Sequence, residues 1–316
     1  MYHVIAFYLF TPIDEPHAEV KRQKNFLSQL DTKGRIYISE DGINGQMSAS
    51  EEASKAYIDW MKEDARYKDI DFKIHLHTEH AFDRLTIKYR KELAALDLSV
   101  DTTDGAEHLS AEKWAEIMDE KDPSTIVIDV RNNYESDVGH FEGAICPDLE
   151  TFRQFPDYID QLAKEYNPET TRVLMYCTGG IRCELFSPLM RKKGFKQTYQ
   201  LDGGVIKYGQ SVGKKHWEGK LFVFDDRMVV PISDDNDETI SHCHNCGANS
   251  DTFYNCAHME CNKLFLSCPQ CAEALKGCCS VECTKAKKVR PFDPKVQPKP
   301  YRRLSREVKD QLDSTD

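Results

Sequence analysis

The sequence predicts a mixed α/β protein in three parts: an N-terminal α+β domain, a central α/β domain and a C-terminal cysteine-rich module. Three observations predict it. Strand-like and helix-like segments alternate through residues 1–95. Between residues 109 and 217, continuous apolar runs alternate with helical spacing, as in a parallel sheet covered by helices. Nine of the 12 cysteines fall between Cys243 and Cys283, a local module rather than a general bias.

Val4 to Phe10 reads as a strand, and Glu15 to Leu30 carries helical spacing through Val20, Phe26, Leu27 and Leu30. Arg35 to Ser39 and Gly45 to Ala49 read as strands joined by a turn-rich Glu40-Asp41-Gly42-Ile43-Asn44-Gly45 segment. Glu51 to Met61 is a helix with Ser50 as its N-cap. Phe72 to His77 and Leu85 to Tyr89 are further strands. The order βαββαβ fits a ferredoxin-like (acylphosphatase-like) sandwich over 1–95, which by itself names no function. The polar stretch Asp97 to His108 reads as a linker. Ser110 then opens a helix with an incomplete capping box. Thr125 to Val130 is a buried strand, Phe152 to Glu165 a helix, Arg172 to Tyr176 a strand, Ile181 to Lys193 a helix and Thr198 to Leu201 a strand. Residues 218–240 read as a connection, ending in the acidic run Asp234 to Glu238.

Size and composition narrow the function classes. With 316 residues, 40% of them hydrophobic, two or three ordinary cores can form. No apolar run reaches membrane-spanning length, and Met1 to Phe7 lacks the basic region and cleavage pattern of a signal peptide. A cytoplasmic location is expected, where clustered cysteines point to metal or catalysis rather than disulfides. The net charge of −11 excludes a wholly basic nucleic-acid binder. It hides an asymmetry: Lys285 to Arg306 carries nine basic residues against the single acid Asp293. That stretch is either a phosphate-contacting arm or a solvated tail, and 286–316 is expected to be flexible.

Cys177-Thr178-Gly179-Gly180-Ile181-Arg182 lies between a strand and a helix. Backbone N–H groups and the helix dipole at such a turn favour an anion, and Arg182 adds a fixed positive charge. These surroundings favour a thiolate nucleophile at Cys177. The plainer alternative is a structural cysteine at a tight turn. A cysteine phosphatase is the rival chemistry, but those loops place five residues between Cys and Arg where this one has four. Cys183 can resolve a disulfide or persulfide on Cys177, or simply pack as a small apolar residue. Arg131 and Glu135 can orient the loop or form a structural ion pair. Asp129 can contact the loop, and Asn44 with Gly42 and Gly45 can approach it from the N-terminal domain. Cys146 is expected to be buried bulk. His75, His77 and His80 lack a convincing carboxylate partner for a metal.

The cysteine module, 240–285, holds two knuckles, Cys243-x-x-Cys246 and Cys268-x-x-Cys271. Cys256, Cys261, Cys278, Cys279 and Cys283 supply the rest. Eight thiolates would satisfy two tetrahedral zinc sites and leave one cysteine over. One division puts the two knuckles in one site and Cys256, Cys261, Cys279 and Cys283 in the other, with His242, His244 or His258 able to replace a member. Structural zinc is expected; an iron–sulfur cluster or redox dithiols are the alternatives. So small a segment buries little core, so metal would supply its folding energy. Phe253, Tyr254 and Phe265 beside the knuckles are expected to form its small core rather than stack a nucleobase.

Several motifs occur in a familiar order. Ile128-Asp129-Val130-Arg131 with Glu135, then Gly139-His140-Phe141-Glu142-Gly143-Ala144, then Cys177 to Arg182, resembles a rhodanese domain over roughly 109–217. The resemblance implies a loop cysteine that carries a persulfide. Adding Glu40 to Gly45, the extended loop Cys177 to Glu184, Phe222 to Arg227 and the cysteine-rich C-terminus, nearly the whole chain resembles the rhodanese-type tRNA uridine hydroxylases. That resemblance implies hydroxylation of carbon 5 of the wobble uridine with molecular oxygen as co-substrate and the tRNA anticodon stem-loop as partner. It implies a catalytic Cys177 with Arg182. A sulfurtransferase with a persulfide on Cys177 is the second reading, and an RNA-binding scaffold the third.

Overall fold

Alternating buried and solvent-facing residues build the first sheet. The structure, a computed structural model, describes residues 1–94, 100–235, 238–296 and 298. Strand β1 (Tyr2–Phe10) leads to helix α1 (Pro16–Leu27), then β2 (Thr32–Ser39), β3 (Gly42–Ser50), α2 (Glu51–Glu63), β4 (Lys73–His77) and β5 (Leu85–Tyr89). Proline at the start of α1 and Ser50 at the start of α2 fix the two helix entries; the Ser50 side chain accepts from the Ala53 N–H. The sheet order is β4-β1-β3-β2-β5, antiparallel except for the β2–β5 pair. Phe7, Ile36, Ile38, Met47, Tyr57 and Met61 fill the space between sheet and helices. This is the ferredoxin-like arrangement with one added strand.

The turn between β2 and β3 is tighter than its composition suggests. Only Glu40 and Asp41 lie outside the strands, and Gly42 to Gly45 belong to β3. The glycines serve packing. A Cβ at Gly45 would come within 2.2 Å of the Phe7 ring, and one at Gly42, whose φ is +146°, within 2.0 Å of the Leu9 carbonyl oxygen.

The second sheet is parallel, with order β6-β10-β9-β7. Along the chain, β6 (Glu107–Leu109), α3 (Ala111–Glu120), β7 (Thr125–Asp129), α4 (Asn133–Ser136), α5 (Phe155–Glu165), β9 (Arg172–Tyr176), α6 (Ile181–Lys192), β10 (Gln197–Leu201) and α7 (Gly204–Ser211) supply its strands and the helices around them, while the short β8 (Gly139–Phe141), between α4 and α5, lies outside this sheet. Strands β7 and β9 are apolar on both faces, as a sheet covered by helices requires. The incomplete capping box at Ser110 still works: its hydroxyl oxygen accepts from the Lys113 N–H at 3.2 Å. This domain and the N-terminal sheet belong to one compact unit, residues 1–136, 141–217 and 232–234.

The second unit takes residues 137–140, 218–231 and the chain from 235 onward. The chain enters through β11 (Trp217–Gly219). The segment 218–240, expected as a plain connection, contains a hairpin of β12 (Leu221–Phe222) and β13 (Val229–Val230). Arg227 forks onto the Asp225 carboxylate at 2.8 and 2.6 Å and locks its turn. The cysteine module follows with β14 (Phe253–Asn255), β15 (Leu264–Leu266), α8 (Pro269–Ala274) and α9 (Val281–Thr284). No described helix is long and apolar enough to cross a membrane. Lys299, Arg302, Arg303 and Arg306, and part of the polar linker and of the acidic run, lie outside the described residues.

Candidate active site

Strand β9 delivers Cys177 to the carboxyl end of the parallel sheet, where open α/β sheets place their sites. The chain then turns through Gly179 and Gly180 into α6. Gly180 adopts φ +104°, and its N–H donates to the Cys177 Sγ at 3.1 Å. A second glycine turn supports the loop from behind. A Cβ at Gly204 would sit 2.6 Å from the Cys177 carbonyl oxygen, and the Val205 and Ile206 N–H groups donate to the Cys177 and Thr178 carbonyls at 3.0 and 3.1 Å. Sequence reasoning missed Gly204; its signal is the Gly-Gly pair after β10.

Cys177 is fully buried. Burial pushes its thiol up, yet the Cys183 thiol, the Arg182 charge and the Arg182 and Gly180 backbone N–H groups outweigh burial and hold it at about 6. Cys183, also fully buried, is pushed well above the ordinary thiol range by burial and by Cys177. Cys183 therefore stays protonated and can donate to the Cys177 thiolate.

Arg182 does not reach across the loop alone. Its guanidinium makes a two-pronged pair with Glu135 at 2.7 and 2.8 Å, and Glu135 also accepts from the Thr178 hydroxyl at 3.1 Å and the Asn132 N–H at 3.1 Å. Burial raises Glu135, but Arg182 outweighs it and holds the carboxyl below the usual range. Glu135→Ala would leave Arg182 buried beside the sheet without its counter-ion. A loss of about 3–5 kcal/mol of unfolding free energy is expected. Urea unfolding checks this, and an unchanged midpoint would show that the pair contributes nothing.

Arg131 plays a different part from Glu135. It folds back on Asp129 at 2.8 and 2.6 Å, and its guanidinium lies 5.5 and 5.3 Å from the Tyr176 and Trp217 ring centres. Asp129 in turn accepts from the Tyr176 hydroxyl at 2.7 Å. Asp129 and Arg131 thus brace the sheet, and the Arg131 charge also acts on the Glu135 carboxyl. Cys146 is exposed, not buried: the chain touches the edge strand β7 only through Ile145, which bridges to Ile128, and Cys146 lies just beyond that bridge. The three histidines do not converge on a metal site: His80 meets Asp31 at 3.0 Å, His77 the Glu79 carbonyl at 2.9 Å and His75 the Gln210 amide at 3.3 Å.

The N-terminal domain does approach the loop, but through Tyr8, the cross-strand neighbour of Asn44. Asn44 itself donates to the Leu93 carbonyl at 3.5 Å. The Tyr8 hydroxyl would lie 2.6 Å from a Cβ at Gly180, and it donates to the Glu184 Oε1 at 3.0 Å. Glu184 is further held by His108 at 2.9 Å and Gln200 at 3.2 Å. Phe10 packs on the core cluster that contains Cys177 and Cys183. Tyr8 therefore lies over the loop that holds the thiolate, close enough to interact with both Cys177 and Cys183. No local pattern marks Tyr8, because its partner lies 176 residues away. Iodoacetamide labelling of Cys177, read by peptide mass spectrometry, should fall about tenfold per pH unit below a midpoint near 6 and level off above it. Tyr8→Ala should raise the plateau roughly tenfold or more, the effect of removing an opening cost of ~1.4 kcal/mol, and move the midpoint down, because less burial then opposes the thiolate. A plateau equal to the wild type would show that Tyr8 covers nothing.

In the cysteine module the sulfur atoms fall into two groups: Cys243, Cys246, Cys268 and Cys271, and Cys256, Cys261, Cys279 and Cys283, each mutually within 4.8 Å. The Cys246–Cys268, Cys261–Cys279 and Cys279–Cys283 sulfurs stand 3.6, 3.7 and 3.7 Å apart. A tetrahedron with metal–sulfur bonds of about 2.3 Å has edges of about 3.8 Å, so the donors fit a four-sulfur site and are far beyond the ~2.05 Å of a disulfide. Cys278, the ninth cysteine, is buried outside both groups, and no histidine joins either group among the described residues. Phe253 and Phe265 are core, as expected; Tyr254 is only half-buried.

Comparison with known proteins adds three domain matches. Residues 2–93 match the UPF0176 acylphosphatase like domain, residues 110–211 the Rhodanese-like domain and residues 218–284 the Rhodanase C-terminal domain. A tRNA uridine(34) hydroxylase of Chlamydia trachomatis (serovar D) is 52% identical over 304 residues, covering 96% of this chain and 92% of its own length. One from Chlamydia pneumoniae is 51% identical, covering 96% and 93%. Among solved structures, a rhodanese-like domain from Anabaena is 20% identical and covers 35% of this chain and 78% of its own, but a TM-score of 0.30 is too low to carry an argument.

Proposed function

Because this chain belongs to the family of the tRNA uridine(34) hydroxylases, we propose that it is the enzyme that places a hydroxyl on carbon 5 of the wobble uridine of tRNA, with molecular oxygen as the oxygen source and Cys177 as the reactive group. The observation that carries the reactive-cysteine part is the Cys177 sulfur itself: a thiol held at about 6, at the carboxyl end of β9, cradled by the Gly180 N–H and backed by the Arg182–Glu135 pair. Arg182 and the loop N–H groups keep the sulfur anionic, and Glu135 fixes Arg182. Tyr8 must move for the base to reach Cys177.

The overall change is balanced by two electrons. One atom of dioxygen enters the uridine and the other leaves as water. Two thiols that close to a disulfide release two electrons and two protons, and Cys177 with the protonated Cys183 beside it is a pair able to do so. Cys183 is thus the resolving partner in this reading.

The 3.6–3.7 Å sulfur separations fit a single four-coordinate ion at the centre of each group rather than a multi-iron cluster, and a closed four-thiolate site with a structural role is the usual setting of zinc. The eight cysteines would hold two ions whose role is to fold the module.

Isotope labelling tests the oxygen source. Purified protein, tRNA and a thiol reductant under labelled dioxygen should give a wobble nucleoside heavier by one labelled oxygen. Label arriving only from labelled water would overturn the oxygen-dependent reading. The same loop also serves the second reading, a persulfide on Cys177, because the Gly180 N–H and the Arg182 charge that hold a thiolate would hold a persulfide anion equally. Turnover of thiosulfate without RNA would support that reading instead.

A further inference from the structure

The basic stretch read from sequence as the start of a flexible arm is, in its first part, built into the cysteine module. Val289 bridges to His258, the Arg290 N–H donates to the Ala257 carbonyl at 2.8 Å and the Met259 N–H to the Lys288 carbonyl at 2.9 Å. The Arg290 Nη1 donates to the Cys256 carbonyl at 2.7 Å, while its Nε has no hydrogen-bond partner among the described residues. The chain then lays Phe292 on Gly277, where a Cβ would meet the ring at 2.6 Å. This brings Phe292 beside Tyr254, with ring centres 6.2 Å apart and planes at 52°.

A groove results, lined among others by Tyr254, Asn255, Arg290, Phe292, Asp293 and Val296. Its walls combine two half-buried rings, the Arg290 side chain and the Asp293 carboxylate at the edge. The segment that forms one wall is basic: Lys285, Lys287, Lys288, Arg290 and Lys295 stand against Asp293 between residues 285 and 298, in a chain whose net charge is −11.

We propose that this groove binds one unpaired nucleobase of the tRNA substrate, stacked on Tyr254 with the tilted Phe292 ring against its edge, while Lys287 and Lys288 meet the adjoining phosphates. The inference rests on the family reading of tRNA as substrate and adds where on the chain a base is held. Aromatic faces stack any base, and Asp293 favours one that presents an N–H edge, as uracil and guanine do. Positive charge concentrated beside the rings on an otherwise acidic protein matches a polyanion and not an apolar peptide.

The test uses the full-length, zinc-loaded protein and a tRNA transcript with uridine at the wobble position. Affinity is measured at several salt concentrations, alongside hydroxylation rates. Tyr254→Ala and Phe292→Ala should each weaken binding about five- to a hundred-fold, with the salt dependence unchanged and the effect appearing in KM rather than kcat. Tyr254→Phe, which keeps the ring, should bind within about twofold of wild type. Lys287→Ala with Lys288→Ala should instead flatten the salt dependence, by about 0.7 in the logarithmic slope for each phosphate no longer neutralised. Zinc content measured on each variant separates a damaged module from the absence of a stacking ring. If wild type binds and hydroxylates the tRNA, and zinc-loaded Tyr254→Ala and Phe292→Ala bind equally well, the groove holds no base and the proposal is wrong. If wild type itself neither binds nor modifies tRNA, the family reading fails first and takes the groove with it.

Discussion

Replacing one ligand of either sulfur group, for example Cys268→Ser, or stripping the metal with a chelator, is expected to unfold the cysteine module. The buried cluster around one of its sites consists of Cys256, Ala257, Phe265, Cys278 and Cys279, and three of these five are thiol-bearing. Two-stranded pieces such as β14–β15 are marginal alone, and helices of six and four residues, α8 and α9, add little. Structural zinc in comparable small modules contributes roughly 10–16 kcal/mol of folding energy near neutral pH, far more than this core can supply. Native mass spectrometry should show two zinc ions per chain, one for each sulfur group. Amide exchange over residues 241–290 should lose its protection when they are removed. Protection that survives complete metal removal would mean that packing, not metal, folds the module.

Cys177→Ser is expected to lower hydroxylation by at least about a thousand-fold, the scale seen when a nucleophile is removed from a preorganised site. A serine hydroxyl stays protonated at neutral pH in surroundings that keep the thiol at about 6, so the charge that the loop is built to hold disappears. The fold should tolerate the exchange, because the loop is anchored independently through Gly204, Val205 and the Arg182–Glu135 pair. Single-turnover rates on purified tRNA, together with thermal unfolding, check both halves. A serine variant that keeps its rate would remove Cys177 from the chemistry. One that loses both rate and stability would mark it as structural.

The sheets were legible because their residues alternate or run apolar in the way that each environment demands. Phe7, Ile36, Ile38 and Met47 mark one buried face, while Ile126 to Ile128 and Val173 to Met175 mark a sheet buried on both. The sulfur groups were legible because each Cys-x-x-Cys knuckle needs two further donors and the module is dense in cysteine, while only the structure shows that no histidine joins either group among the described residues. The misreadings share one physical cause, which is that glycine and charge have meanings set by distant neighbours. Gly42 and Gly45 look like turn residues, yet the Leu9 backbone and the Phe7 ring across the sheet require them inside a strand. Arg131 has Asp129 and Glu135 both near in sequence, and only the placement of Arg182 shows that Glu135 is already taken. Tyr8 and Glu184 carry no mutual signal at all, since folding alone brings β1 onto the reactive loop. Cys146 differs for the opposite reason: a thiol is usually buried, but this one lies just past the single bridge, at Ile145, that joins its segment to the sheet edge.

The most direct test is nucleoside mass spectrometry of tRNA from cells lacking this protein, complemented with the wild-type chain or with Cys177→Ser. Nucleosides derived from 5-hydroxyuridine should be lost in the deletion, return with the wild type and stay absent with Cys177→Ser. If they persist in the deletion or fail to return with the wild type, the chain is not the wobble-uridine hydroxylase of those cells; if Cys177→Ser restores them, the reaction does not run through this sulfur.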